Sequence, residues 1–429
     1  MTLENFEKEI AKFELSDSES QIAVALSGGA DSMALTLLLD EYSKKSGKEL
    51  IALIVNHNLR KESSEESQKV SKGIANLGIK NAILNWDHKK ITSNIQEQAR
   101  EARLSILTEY CNAHQIKYLF TAHHKNDLAE TFLMNILRGS GVYGMSSISN
   151  TTVYNNIYIL RPLLNFYKSD LQNYLSKRKV RWIEDPSNTN ETFLRTKVRK
   201  LMISKEVTDI IPDTDLLVDR LALNAKNAAR ARTTLENICE KEIKKNVTLH
   251  KEGYLTVNHN EFFYLDEEIA LKILASCLVT ISGEHSHKPR FNSLKTLYDH
   301  LRNQKTAKTL WECETIVKKG IIYIYKEIGK NALTANKLSD TEWIWNGRFS
   351  IKTKSANIIK KIEPLSYENL SEYSDKILDI IPKKIWKSLP LITTYDNKVY
   401  VPFLNTRDTK EFSIDFTPLM SLNRINFFH

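Results

Sequence analysis

Residues 21–34, QIAVALSGGADSMA, constrain this chain more tightly than any other stretch. An apolar run at 22–26 reads as a fully buried strand, Ser27-Gly28-Gly29 cannot continue it, and Asp31-Ser32 opens an amphipathic helix through about Tyr42. Adjacent glycines let the backbone turn tightly and approach a ligand, and the free N–H groups of the helix start attract an anion. Ser27 and Ser32 add hydroxyl donors, and Asp31 is placed to hold Mg²⁺ or a water beside phosphates. The candidate nucleotide-binding set is therefore Ser27, Gly28, Gly29, Ala30, Asp31 and Ser32. The loop lacks the lysine of a P-loop and the three-glycine spacing of a dinucleotide fold. A purely structural strand-to-helix turn is the alternative.

Composition narrows the class. A chain of 429 residues suggests two or three domains, each able to bury a core. With 41% apolar and 26% charged residues it reads as a folded globular chain. The net charge of +9 suits a polyanionic partner, although many basic proteins bind no nucleic acid. Cys111, Cys239, Cys277 and Cys313 form no C-x-x-C pair and no zinc-like spacing, so they read as free thiols of a reducing compartment. The start, MTLENFEKEIAKF, is acidic and amphipathic, unlike a signal peptide, and no apolar stretch reaches the ~20 residues that span a bilayer. The expectation is a cytoplasmic protein with no membrane partner.

From residue 48 to 119 strands alternate with helices, which argues a doubly wound parallel sheet. Strand candidates lie at 50–55, 80–84 and 117–120, with helices near 62–77 and 94–114. Ligands of such sheets sit beyond the carboxyl ends of the strands, and the polar motifs fall there. Asn56 and His57 follow the second strand, where a base or ribose would lie beside the phosphate loop; plain loop is the alternative. Arg100 and Arg103 share a helix face, either as a solvated basic edge or as contacts to ATP phosphates or RNA. After the fourth strand come His123 and a helix at 125–138, whose buried stripe is expected to be Leu128, Ala129, Phe132, Leu133, Ile136 and Leu137. Asp127 and Glu130 fall on its other face; such a pair is usually just solvated, but here it starts where the ligand should be, and it could bind an amine or hold a metal. Gly139, Gly141 and Gly144 make either a helix stop or a loop that closes over substrate, the second being favoured.

Taken in order, S-G-G-A-D-S at 27–32, V-N-H-N-L-R at 55–60, Q-A-R-E-A-R at 98–103, A-H-H-K-N-D-L-A-E-T at 122–131 and L-R-G-S-G-V-Y-G at 137–144 are specific. With R-P-L-L at 161–164, E-D-P-S-N at 184–188, Arg195 and Arg199, the first 200 residues or so resemble the tRNA(Ile)-lysidine synthetases, a family within the PP-loop ATP pyrophosphatases. Asn126 stands where many members carry a second Asp, and Thr196 where an Asn often follows the Arg; neither removes a required group. The resemblance implies use of ATP with Mg²⁺ and free L-lysine to convert the wobble cytidine of tRNA(Ile) with a CAU anticodon into lysidine, through an adenylated base, with release of AMP and pyrophosphate. It further implies catalytic roles for Asp31, Asp127, Glu130 and Arg195, with Asp31 the candidate Mg²⁺ ligand. Asn56, His57, Arg100 and His123 join the phosphate loop as cofactor-binding candidates.

Residues 157–205 are strongly basic, and Tyr174 and Trp182 interleave with the cations as an RNA surface would require; a surface helix with a buried Trp is the alternative. The expected domains are a catalytic domain at 1–215, a connecting helix and mainly helical middle tRNA-binding domain at 216–330, and a small β-rich tRNA-binding domain at 331–429. His285 and His287 read as a basic turn, not a metal site. The oligomeric state is open, a homodimer included. Other readings are a tRNA 2-thiolation ATPase, for which paired cysteines are missing, and a non-catalytic RNA-binding module.

Overall fold

The computed structural model describes residues 2–58, 63–88, 95–183, 194–283, 289–303, 307–327, 334–366, 383–401, 411–418 and 422. Arg60, the E-D-P-S-N turn at 184–188, His285 and His287 lie outside them. The chain divides into two compact units, at 1–232 and 233–428.

The first unit is built on a sheet of order β3-β2-β1-β4-β6-β5. Its strands are β1 (Gln21–Ala25), β2 (Glu49–Asn56), β3 (Lys80–Asn85), β4 (Tyr118–Phe120), β5 (Thr151–Tyr154) and β6 (Ile157–Leu160). Every neighbouring pair is parallel except β5 with β6. Side chains alternate across a strand, so a sheet covered on both faces needs apolar residues at both parities. Ile22 and Val24 of β1 point into one core, with Leu35 and Leu38 of α2 (Ala30–Ser46). Ala23 between them, and Leu53 of β2, point into the other, with Leu107 and Cys111 of α4 (Ile95–Ala113). Leu35 and Leu38 are fully buried, each stabilising the fold by roughly 1.5–3 kcal/mol. The doubly wound arrangement follows from this two-sided pattern, with α1 (Leu3–Ala11) and α3 (Ser63–Ala75) adding to the α2 side.

Strand order reverses between β1 and β4, which makes their carboxyl ends the switch point of the sheet. Helix α5 (Lys125–Leu137) leaves β4 there. Its stripe is shorter than the periodicity predicts. Leu128, Ala129 and Phe132 are buried, but Ile136 and Leu137 are 44% and 58% exposed. The helix ends in Gly139 at φ 70°, with the Ser140 N–H donating to Asn135 O and the Gly139 N–H to Ile136 O. That is a Schellman stop, in which glycine is favoured because only it takes a left-handed φ without strain. A short helix, α6 (Val142–Met145), follows.

The aromatic-basic surface expected near residue 174 is not formed as such. Tyr174 of α7 (Lys168–Lys177) is 4% exposed and donates to Glu41 Oε1 at 3.0 Å, where Arg178 also donates at 2.7 Å. Burying a tyrosine costs little when its hydroxyl finds an acceptor, and α2 supplies one. Trp182 also packs partly against that core. Helix α8 (Leu194–Met202) covers α5, α9 (Lys205–Thr208) is a single turn, and the long α10 (Thr214–Asn246) follows.

The second unit holds an antiparallel sheet of order β7-β8-β11-β10-β9. Its strands are β7 (Val247–His250), β8 (Tyr254–Asn258), β9 (Lys308–Leu310), β10 (Cys313–Lys318) and β11 (Ile321–Lys326), with α11 (His259–Tyr264), α12 (Glu267–Ser282) and α13 (Phe291–Arg302). β10 and β11 form a hairpin, because Lys319 and Gly320 both take positive φ and reverse the chain in two residues. Two further sheets, of four and three strands, confirm the β-rich character of the last hundred residues. All four cysteines are buried and free. Among the described residues no helix is long and apolar enough to cross a membrane.

Candidate active site at the sheet switch point

The loop after β1 is held by its own serines. The Ser27 N–H donates to Ser32 Oγ at 3.2 Å, the two hydroxyls lie 3.1 Å apart, and Ser32 Oγ donates to Gly29 O at 3.0 Å. Gly28 sits at φ 86°, and a Cβ there would meet Val70 Cγ2 at 2.5 Å, so both backbone and neighbour require glycine. Gly29 caps α2 without any side-chain bond, leaving first-turn N–H groups to face the crevice from Ala30 onward. Asp31 is partly exposed, yet its Oδ1 is buried and meets no hydrogen-bond donor among the described residues.

From β4, Thr121 Oγ1 lies 3.2 Å from His123 Nδ1. Burial pushes His123 down to about 3; Asp127 opposes this, and Arg161, Arg100 and Arg103 reinforce it. The ring is thus neutral among cations. His124, 1% exposed, caps α5 in a reciprocal box: its Nδ1 accepts from the Asp127 N–H at 3.3 Å, and its own N–H donates to Asp127 Oδ2 at 3.1 Å. The cap needs a lone pair on Nδ1, so the proton sits on Nε2, which faces Asp31 Oδ2 and Asp127 Oδ2 at 3.5 Å each. Burial disfavours a charged ring here, but Asp127, Asp31 and Glu130 outweigh it and raise the pKa above its ordinary value. Asp127 moves the other way. Burial alone would raise it, but His124, His123 and Arg195 hold its carboxyl below the usual range.

Glu130 does not face solvent as its helical position suggests. It is 5% exposed beneath α8. Its Oε1 accepts from Arg199 Nε at 2.6 Å, and its Oε2 lies 3.2 Å from Arg195 Nε without hydrogen-bond alignment. Arg195 donates instead from Nη2 to Thr131 Oγ1 at 3.0 Å. Arg199 Nη2 reaches within 3.9 Å of Asp127 Oδ1. Despite burial, Glu130, Asp127 and Asp31 raise the Arg199 pKa, so this guanidinium is a fixed charge.

Arg100 and Arg103 on α4 are solvent-accessible, yet burial is the first cause lowering both pKa values. Groups that water reaches but protein surrounds line a concavity. Arg195 depresses Arg100 further, and Asp127 partly offsets that. Arg103 depresses His57, which burial has already pushed down and which titrates near about 4. Asn56 is buried and committed to neighbours, donating to Asn85 Oδ1 at 3.1 Å and accepting from the Asn58 N–H at 3.2 Å. It shapes the strand end on which His57 sits.

The structure therefore gathers Asp31, Asp127, Glu130 and Arg195 at one crevice with the phosphate loop, and Arg100 and His123 on its rim. Asn56 and His57 lie at the end of β2. Two residues were not assigned from sequence. His124 stood inside the A-H-H-K-N-D-L-A-E-T motif with no role assigned, although its position immediately before a helix with an acid three residues on is a capping signal. Arg199 was named with Arg195 in the resemblance but given no role, and its spacing of one turn from Arg195 puts the two on one helix face.

Residues 2–206 match the PP-loop domain family. A tRNA(Ile)-lysidine synthase of Wolbachia pipientis wMel is 38% identical over 77% of this chain and 76% of its own. That of Orientia tsutsugamushi (strain Boryong) is 35% identical over 82% and 80%. That of Rickettsia bellii (strain RML369-C) is 31% identical over 97% and 98%. The chain belongs to the tRNA(Ile)-lysidine synthase family. It is a ligase of that family built on a PP-loop domain. The family likeness extends through the second unit, since the Rickettsia protein aligns over nearly the whole of both chains.

Proposed function

We propose that this protein joins the ε-amine of free lysine to C2 of the wobble cytidine of tRNA(Ile) bearing a CAU anticodon. The observation that carries the reading is the convergence of the phosphate loop, Asp31, Asp127 and the Glu130-bound arginines on one switch-point crevice. The base O2 attacks the α-phosphorus of ATP and pyrophosphate leaves; the amine then attacks C2 and AMP departs with that oxygen. Serine-locked backbone N–H groups at the start of α2 suit the β- and γ-phosphates, whose charge grows as pyrophosphate leaves. Arg195 and Arg100 suit the α-phosphate.

Mg²⁺ fits the residues present. Asp31 offers a buried oxygen with no donor, and among the described residues no group of three or more acids, histidines or cysteines is arranged to hold a metal ion by itself. A cation here would take most ligands from phosphates and water, as Mg²⁺ does, and would neutralise the pyrophosphate charge. The lysine must react as a free amine, although its ordinary pKa is ~10.4. Asp127, held ionised, suits the amine as charge partner or proton acceptor. Glu130, engaged by two arginines, serves better to hold them toward the nucleotide than to bind lysine.

Asp31→Ala should abolish tRNA-dependent ATP–pyrophosphate exchange. Wild-type protein with ATP, lysine and the CAU tRNA should yield AMP and pyrophosphate. ADP as the product, or normal exchange by the variant, would overturn the proposal.

A further inference from the structure

We infer that His124 is a positioning residue that fixes the carboxylate of Asp31 for cation binding and ties it to the substrate-side acid Asp127. The inference rests on the reading of Asp31 given above. An aspartate in the first turn of a helix, partly open to solvent, has several rotamers available. Among the described residues only His124 lies at hydrogen-bond range of this carboxylate, with Nε2 3.5 Å from Oδ2. The other oxygen, Oδ1, is left buried and without a donor. One carboxylate oxygen thus faces His124, and the other is buried with no hydrogen-bond partner among the described residues.

His124 can impose this because it has no freedom itself. It is 1% exposed, its Nδ1 is spent on the Asp127 N–H, and its backbone N–H is held by Asp127 Oδ2. The ring therefore spans the switch point, with Asp31 in the first turn of α2 on one side and the start of α5 on the other. Residues that orient a metal-binding carboxylate through a hydrogen bond typically change metal affinity by about 10–100-fold when removed.

The two duties of the ring can be separated. In His124→Asn the shorter side chain still accepts from the Asp127 N–H, since Asn is a good N-cap, but it does not reach Asp31. In His124→Ala both the cap and the contact with Asp31 are lost. ATP binding to the full-length protein is measured by calorimetry with and without Mg²⁺, alongside Tm and the Mg²⁺ dependence of ATP–pyrophosphate exchange. The expected result for H124N is a Tm near wild type, unchanged metal-free ATP binding and a Mg²⁺ half-saturation raised about 10-fold or more. H124A should show the same metal defect with a lowered Tm. If Asp31→Asn loses the Mg²⁺ effect and H124N keeps it, His124 is only a cap and the inference fails alone. If Asp31→Asn also keeps the Mg²⁺ effect, the reading of Asp31 fails and the inference with it.

Discussion

Gly28→Ala tests the phosphate loop at the point where geometry is least forgiving. Two separable costs arise. A non-glycine residue at φ 86° pays roughly 1–2 kcal/mol for the left-handed backbone. The new methyl would also stand 2.5 Å from Val70 Cγ2, well inside contact distance, and overpacking of this kind costs typically ~1–3 kcal/mol. Val70 is 8% exposed in α3 and packs in the core beneath the loop, so it has little room to retreat. The expected loss is therefore about 2–5 kcal/mol in denaturant unfolding of the full chain, together with loss of ATP–pyrophosphate exchange. Val70→Ala removes the clashing carbon and leaves the φ unchanged, so it isolates the steric part. In the V70A background G28A should cost only about 1–2 kcal/mol, a coupling of about 1–3 kcal/mol between neighbours. Equal losses in both backgrounds would show that Val70 is not what excludes a side chain. A loss under ~0.5 kcal/mol in the wild-type background would refute the backbone argument as well.

Two other outcomes follow from the site. His57 titrates near about 4 when folded and near 6.5 when unfolded, so as pH falls the unfolded chain takes up a proton first and the native state is penalised. The stability of His57→Gln relative to wild type should thus improve by ~2 kcal/mol between pH 7.5 and pH 5, read from urea midpoints; a constant difference would mean that the ring is not held neutral. Glu130→Gln removes a buried charge facing two guanidinium groups that are themselves 31% and 39% exposed and can rehydrate. The cost should fall below the ~3–5 kcal/mol of a fully buried broken pair, at about 1–3 kcal/mol, with faster amide exchange in α5 and α8 and weakened adenylation. Unchanged adenylation with a raised KM for lysine alone would return Glu130 to the amine.

Much of the site was legible in the chain because phosphate loops and parallel strands depend on local order. A strand, two glycines and an acidic helix start dictate where an anion can sit, and apolar residues at both parities of β1 and β2 require helices on both faces. The alternation of elements likewise placed Asp127 at a strand end. Periodicity, however, reports only which residues share a face, never what lies against it. It assigned Glu130 to a polar surface, whereas α8, more than sixty residues further on, lays Arg195 and Arg199 over it. For the same reason Tyr174 read as a stacking surface until Glu41 of α2 supplied an acceptor for its hydroxyl. The contact between His124 Nε2 and Asp31 Oδ2, at 3.5 Å, joins two loops roughly ninety residues apart in the chain. Sequence alone determined the chemistry available to this protein, because residue types and local spacing carry it. The tertiary structure decided which charges are already neutralised and which oxygen is buried without a donor among the described residues, because desolvation and pairing depend on neighbours brought in from distant parts of the chain.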